Sequence, residues 1–524
     1  MYKLMIFGVG SGSRKVRAVL NESSVTIGCF VDNNRSIVGS YIDNVPIVSP
    51  SQIPDLIDDY DFLIIASQYY KKIKKQLISL HVPERKIISF FEPVSIQNFG
   101  TSVDIFENRI FSINKLLSQN IKELNSSTKI KMLQEHFGDS TKKDTRQGFL
   151  LINHLFGGGT QVYQDHLIKR LKFENKRVYT LNIFLNYIVI FNCNENKAWI
   201  IHISKLDQGI FNQALMFLQI DMMYINQLVS FPQYFMDLII DSKVKYTFFI
   251  HDYFCVCPSY NLLNYEHKYC NAETDIIRCK QCISQGLISE EVINISSLEI
   301  HIESWRQKFF GFLQSADEII APSETAKEIV KKYYPMLPIT VKEHELGIKI
   351  PYSYQKQYAD SKELNIGFVG SIGPSKGSEI LYELYNYILN ENLPINIRVI
   401  GTTQLHNVTY ESPDKKLFVH GEYKREVMGE LLQKYKVSLV IIPSVCPETF
   451  NYTTSEIMAA GYPIITFNIG APAERLRKNG GGWILQAGSA KEILDLLKEL
   501  QGNRHRIYLK AEELTRIALK GDLL

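Results

Sequence analysis

Hydrophobic residues in this chain come in short unbroken bursts, each closed by a polar or glycine-bearing turn and followed by a segment whose apolar positions recur at helical spacing. Near the amino terminus the burst "KLMIFGVG" runs into the amphipathic "RKVRAVLNE"; "VTIGCFVDN" and "DFLIIAS" follow, the latter leading into "QYYKKIKKQLISL". This alternation of strand and helix patterns predicts a small doubly wound α/β sheet over residues 1–95. The next stretch is polar, with a helical period early on and little apolar content near its end, so residues 96–145 read as a linker containing helix. The alternation returns at "GFLLINHLFGGGTQVYQDHLIKRL" and ends near "SADEIIAPSETAKEIVKKYYP", giving a domain over 146–345 with a cysteine-rich insert at 255–282. It begins a third time at "LNIGFVGSIGPSKGSEILYELYNYI" and closes in "SAKEILDLLKEL" and a charged helical tail, giving a domain over 346–524. Two α/β halves of similar size in tandem imply a ligand cleft at the carboxyl ends of their strands. No short repeat points to a solenoid.

Composition changes this picture little. Of 524 residues, 45% are hydrophobic and 22% charged, the balance of globular protein, which excludes collagen-like, coiled-coil and disordered readings. A net charge of +3 gives no case for nucleic acid, and Lys71, Lys72, Lys74 and Lys75 read as a solvated helix face. Eight unevenly spread cysteines fit a reducing compartment better than a disulfide scaffold. The start reads as strand and turn rather than signal peptide, and no apolar run reaches the ~18 residues that span a bilayer. The expectation is a cytoplasmic protein, with any membrane contact peripheral and at the inner face.

Candidate chemistry concentrates in the last domain. In "GFVGSIGPSKG", Gly370 and Ser371 end a strand before a glycine turn and helix, where backbone N–H groups favour an anion and Lys376 adds a charge. Gly401 and Thr402 end the next strand in "VIGTTQ". Each is equally a plain α/β turn. More informative is "PETFNYTTSEIMAAGYPIITFN", in which Phe450, Asn451, Tyr452 and Thr453 lead into a helix stopped by Gly461 and Pro463. Their amides can face a phosphate. Glu456, about one turn into the helix, then suits hydroxyl groups, and Glu448 lies deeper, near whatever the phosphate carries.

At these residues the last domain resembles the donor-binding domain of family 4 glycosyltransferases of GT-B architecture, whose signature is two glutamates separated by seven residues. The signature lies in a stretch reading like Pro-Glu-x-Phe-Gly and ending Ala-x-Gly-x-Pro; here the matching residues are Pro447, Glu448, Phe450, Asn451, Glu456, Ala459, Gly461 and Pro463. The resemblance implies a donor-sugar role for Glu448 and a ribose role for Glu456. Lys376 with Gly377 matches the family's phosphate-binding lysine and glycine, but Ser371 stands where the family carries an arginine. Asn451 replaces the usual glycine, and asparagine also tolerates a left-handed backbone.

The same resemblance reads the middle domain as the acceptor half. Gly158 and Gly159 close a strand and open a helix where the family carries a glycine-rich loop, and His251 and Asp252 stand where it has a His-Asp pair near the donor sugar. The insert that follows places Cys257, Cys270, Cys279 and Cys282 at a spacing that closes with C-x-x-C. Structural zinc and free thiols both fit it. In the first domain Gly8, Gly10 and Gly12, with Asp32 about twenty positions on, give a partial dinucleotide fingerprint in which Ser13 occupies the third glycine's place. This section is similar to small Rossmann-like domains beside sugar-modifying enzymes, of which some bind nucleotides and some have no known ligand.

The expected fold is therefore α/β, a GT-B pair of Rossmann-like domains preceded by a small Rossmann-like domain. The expected activity is retaining transfer of a sugar from a nucleoside-diphosphate donor to a glycan or lipid-linked glycan, in bacterial surface-polysaccharide assembly. His251, Lys376 and Glu448 form the catalytic group, and no metal takes part in the chemistry. Asp59-Tyr60-Asp61, which could suggest a metal-binding Asp-x-Asp, precedes its strand and reads as surface. Two rival readings stand beside this one: a nicotinamide-dependent oxidoreductase led by residues 1–95, and a non-catalytic sugar-nucleotide binding protein.

Overall fold

The computed structural model describes residues 2–520 except 11–12, 14–15, 18–19, 21–24, 35–36, 68–69, 91–143, 155–157, 185–186, 195–196, 204–205, 230, 286–300, 357–362, 407 and 487. The linker expected at 96–145 and the candidate Gly12 thus fall, almost wholly and wholly, outside the described residues. The chain forms two compact units. One comprises Met1–Gly157, Leu167–Tyr246 and Glu290–Leu298; the other comprises Gly158–His166, Thr247–Ser289 and Glu299–Leu524.

In the first unit, strands β1 (Tyr2–Phe7), β2 (Val25–Val31), β3 (Tyr41–Ile42), β4 (Val45–Val48), β5 (Phe62–Ile65) and β6 (Ile87–Ser89) make a sheet of order β3-β4-β2-β1-β5-β6. It is parallel apart from the β3–β4 pair. Leu4, Met5 and Ile6 are fully buried in succession, as expected of a central parallel strand covered on both faces. Helix α1 (Tyr70–Ser79) packs Ile73 and Leu77 against Met5, Phe7 and Leu63 on one of those faces. The unit also holds β7 (Gly148–Ile152), β8 (Arg177–Phe184), β9 (Tyr187–Asn192), β10 (Lys197–His202) and β11 (Met222–Ile225). There β7 lies parallel to β8 and β11, and β8, β9 and β10 form an antiparallel meander.

The second unit starts with the first turns of helix α2 (Gly158–Phe173) and most of β12 (Lys245–Phe249), which runs parallel to β13 (Glu318–Ala321), itself parallel to β14 (Ile339–Val341). Helices α3 (Ile276–Ser284) and α4 (Ile302–Gln314) lie between β12 and β13 in the chain. The rest is a seven-stranded sheet of β15 (Leu364–Ile372), β16 (Ile395–Thr403), β17 (Tyr410–Glu411), β18 (Leu417–Val419), β19 (Leu439–Ile442), β20 (Ile464–Phe467) and β21 (Gly482–Leu485). Its order is β17-β18-β16-β15-β19-β20-β21, with only the β17–β18 pair antiparallel.

Alternation along these strands sends Leu364, Ile366, Phe368, Leu439 and Ile441 into one core with α5 (Ser378–Asn390). Val369, Val440 and Ile442 enter another, with Ile457 and Met458 of helix α6 (Tyr452–Ala459). Helix α7 (Gly470–Asn479) adds Leu476 to the second core, and α8 (Ala490–Gly502) adds Ile493, Leu497 and Leu500 to the first. Each fully buried aliphatic side chain of this kind stabilises the fold by about 1.5–3 kcal/mol, which holds the strand ends and their loops in place. The fold class is α/β, as expected, with largely parallel sheets and an additional small amino-terminal sheet. No helix among the described residues is long and apolar enough to cross a membrane.

Candidate functional site

Two loops that follow neighbouring strands build the site. After β15 the chain makes a tight turn over Pro374–Lys376, and Gly377 follows at φ 81°. A Cβ there would sit 2.2 Å from the carbonyl oxygen of Pro443, so only glycine lets this turn press against the loop after β19. Val445 N donates to Ser375 O at 3.1 Å across the same seam. The result brings the Lys376 ammonium onto Oε2 of Glu448, although the two are 72 positions apart.

Glu448 is largely buried, with a side chain 10% exposed. Its Oε1 accepts from the Ser444 hydroxyl and, at 2.6 Å, from Nδ2 of Asn451. Burial alone would push this carboxyl up, but the Lys376 charge and the three hydrogen bonds hold it below the usual glutamate range. The group is therefore ionised at neutral pH. Asn451 has φ 63°, and its Oδ1 caps α6 by accepting from Thr454 N at 2.8 Å.

Lys376, Glu448 and Asn451 line a cavity of about 300 Å³ together with Gly159, His251, Asp252, Phe450, Tyr452 and Thr453. The His251 carbonyl accepts from Thr449 Oγ1 at 2.7 Å, and its ring lies 4.9 Å from Tyr163 and 5.1 Å from His344. Asp252 accepts from Phe254 N at 2.9 Å through Oδ1. Gly158 (φ 78°), Gly370 (φ 105°), Ser371, Gly401 (φ 132°), Thr402 and Glu456 do not line this cavity. Gly370 faces Gly401 in the β15–β16 register, and Thr402 Oγ1 donates to Ser371 Oγ at 3.2 Å beside them. The Gly401 Cα approaches the Gly370 carbonyl so closely that a Cβ would stand 2.0 Å from its oxygen.

Glu456 is 2% exposed and pairs with Arg425, whose Nε and Nη2 reach Oε1 at 2.6 and 2.5 Å. Burial raises its carboxyl above the usual range, with Arg425 opposing. Arg425 also lies 5.1 Å from the Tyr452 ring. Sequence reasoning missed this arginine, along with Arg475, His344 and Ser444. Arg475, on α7, is 8% exposed, places its guanidinium 3.9 Å from the Phe450 ring and donates to Asn451 O at 2.8 Å. Burial brings it down to about 10, against the nearby Glu343, Glu474 and Glu448 charges. His344 is half-buried among Tyr163, Phe450 and Tyr452, and desolvation with the Arg475 charge lowers it to about 3, so it is neutral at physiological pH. No local signal marks Arg475, which stands between Glu474 and Leu476 in a helix that carries a second arginine at 477.

In the first unit Gly8 has φ 103° and its N–H donates to Val31 O at 2.7 Å. Asp32 accepts from Val9 N at 3.1 Å and Asn34 N at 2.8 Å, so its carboxylate closes the turn at the strand ends. Gly10 O accepts from Ser13 Oγ at 3.2 Å. Cys257, Cys270, Cys279 and Cys282 border a separate cavity in the second unit.

Residues 353–516 match the family described as glycosyl transferases group 1, and residues 1–88 match the family described as C2185-like, N-terminal. No curated protein matches the chain. Among solved structures it is similar to sucrose-phosphate synthase from Thermosynechococcus elongatus, at 13% identity and a TM-score of 0.47, over 72% of this chain and 94% of that one. It is similar to HepE of Anabaena in complex with UDP and glucose at 12% identity and a TM-score of 0.46, over 71% and 94%. A third likeness, to S. aureus TarM, has 11% identity and a TM-score of 0.40 over 99% of this chain and 97% of that one.

Proposed function

We propose, from the match of residues 353–516 to the glycosyl transferases group 1 family, that the protein transfers a sugar, with retention of configuration, from a nucleoside-diphosphate sugar to a glycan or lipid-linked glycan acceptor. The setting is bacterial surface-polysaccharide biosynthesis at the inner face of the cell membrane. The observation that carries the reading is the ionised Glu448, held between Lys376, Ser444 and Asn451 on the wall of a cavity that also reaches the first turn of α6.

In this reading the donor diphosphate lies against Lys376 and the amides of Phe450 to Thr453. Those groups are fixed before the reaction and stabilise negative charge as it develops on the leaving diphosphate. Glu448 accepts from hydroxyls of the donor sugar, and its tether to Lys376 positions the cation. The ribose falls to Glu456, where both Arg425 contacts are on Oε1 and Oε2 is assigned to the ribose hydroxyls. His251 and Asp252 border the sugar, with the neutral His344 and Tyr163 packed behind them. The transition state is oxocarbenium-like, and catalysis is electrostatic, without a metal.

Purified full-length protein incubated with a panel of nucleoside-diphosphate sugars tests this. The expected result is release of nucleoside diphosphate from one donor class, falling about 100-fold in Glu448→Gln and Lys376→Ala. Full activity in both variants, or no turnover of any donor with acceptor-containing membranes present, overturns it.

A further inference from the structure

The insert after β12 lends Tyr260 and Asn261 to the lining of the Glu448 cavity, but its four cysteines 257, 270, 279 and 282 lie outside that lining, and their physical situation asks for another task. Cys257 lies in the turn that follows Phe254, Cys270 comes directly after the bridge between Leu263 and Tyr269, and Cys279 and Cys282 sit one turn apart on α3. None is in a disulfide. All four border one cavity of about 250 Å³, which Arg306 and Tyr333 also line.

Apolar burial does not explain why the carboxyl-terminal part of this insert is held. Helix α3 has no fully buried residue, and its Ile277 is 77% exposed. The backbone around Cys270 is also unfavourable: Tyr260, Leu262, His267, Asn271 and Ala272 all take positive φ, between 38° and 59°. Such values suit asparagine but not tyrosine, leucine or alanine. Val256, Leu262 and Leu263 anchor the start of the insert, but over residues 264–285 only Ala272 is buried, and a loop-rich stretch with so small a core is typically held by a cross-link, either disulfides or a metal.

Arg306 distinguishes these two. Its Nη2 donates to Cys279 Sγ at 3.2 Å, and the rest of the guanidinium is fixed by Val256 O at 3.1 Å, Thr274 O and Glu273 O at 3.2 Å, and the Tyr333 ring at 4.5 Å. A zinc ion bound by four thiolates carries a net charge of −2, and a fixed N–H donor at sulfur is the outer-shell support such a centre needs. A disulfide gains nothing from it.

We propose that Cys257, Cys270, Cys279 and Cys282 bind one zinc ion, which staples α3 and the preceding loop to the turn after β12. Four Zn–S bonds form, the thiol protons leave to solvent, and nothing is oxidised or reduced. Among the described residues no three side chains of the metal-binding types are already drawn together around one point. Binding would thus require the four sulfurs to move inward within the cavity they share, to Zn–S bonds of about 2.3 Å.

Full-length protein purified under reducing, anaerobic conditions, stripped with a chelator and titrated with zinc or cobalt tests the site. The expected result is uptake of about one zinc per chain and, with cobalt, the thiolate-to-cobalt charge-transfer band and intense visible bands of a tetrahedral sulfur site. Cys270→Ser and Cys282→Ser lose the ion, whereas Cys193→Ser keeps it. Where a serine variant is insoluble, the cobalt spectrum of the unaltered chain decides alone. The proposal is overturned by a chain that takes up neither metal, by cobalt bands without sulfur charge transfer, by disulfides among the four cysteines, or by zinc retained in both variants.

Discussion

Asn451 donates from Nδ2 to Oε1 of Glu448 at 2.6 Å while its own Oδ1 caps the helix that carries Glu456. One side chain thereby fixes the carboxylate on the cavity wall and the start of the helix beside it. The two tasks need a donor and an acceptor on one side chain, and an ionised aspartate has no donor to offer.

Replacing Asn451 separates these contributions. In Asn451→Ala the cap is lost, worth about 1 kcal/mol, and alanine is forced to a left-handed backbone at a further 1–2 kcal/mol or so. Glycine tolerates that backbone and loses little as a cap. Thermal or denaturant unfolding is expected to show Asn451→Ala destabilised by about 2–3 kcal/mol and Asn451→Gly by less than half of that. Equal losses in the two variants would show that the left-handed conformation is not what distinguishes them.

The Lys376–Glu448 pair makes a pH prediction. Because the folded-state carboxyl lies below its unfolded value, the pair's contribution is present above the usual glutamate range and is lost as pH falls through the folded value. Lys376→Ala leaves Glu448 buried without its cation. The Lys376 side chain is 41% exposed, so solvent screening reduces the effect to about 1–2 kcal/mol at neutral pH. Adding Glu448→Gln to Lys376→Ala is expected to recover part of that loss at pH 7 and none of it in acid, as read by unfolding midpoints across the pH range.

What the sequence made legible follows from the same physics. Strands β15, β16 and β19 are almost wholly buried, so they appear as apolar bursts and reveal an α/β chain. Glu448 and Glu456 are neighbours in sequence and could be read together. Which loops meet is a different matter: Lys376 reaches Glu448 because β15 and β19 pair and Val445 bonds to Ser375, neither of which has a local signature. The arginines were hidden for a related reason. Arg475 is buried while Arg477, two positions on, is exposed, and no pattern short of the folded packing separates them.

Glu456 titrates in the opposite sense from Glu448. The Glu456 carboxyl is raised in the folded state, so its contribution is fully present below the unfolded value and is lost as pH rises through the folded one. Removing the cation in Arg425→Met exaggerates this, since a carboxylate 2% exposed is left without its partner. The expected loss is about 3 kcal/mol at pH 7, shrinking as the pH falls and Glu456 takes up a proton. Unfolding at pH 7 and pH 5 checks the sign, and a loss that grows in acid would refute it.

Arg475 tests whether the loop facing the cavity is held from behind. Its guanidinium stands over Phe450 and donates to the carbonyl of Asn451, so it fixes two successive residues of the stretch that faces a phosphate in the proposed reaction. A desolvated cation–π contact contributes about 2 kcal/mol and the hydrogen bond about 1. Arg475→Met retains much of the volume and loses both, and is expected to lower stability by 2–3 kcal/mol or so. Arg475→Lys keeps a charge but not the planar fork that stacks and donates at once. If positioning is the role, donor KM rises in both variants while the pH dependence of turnover is unchanged, because Arg475 is charged throughout the range in which carboxylates and histidines titrate. A fall in stability with unaltered KM in both would assign Arg475 to packing alone.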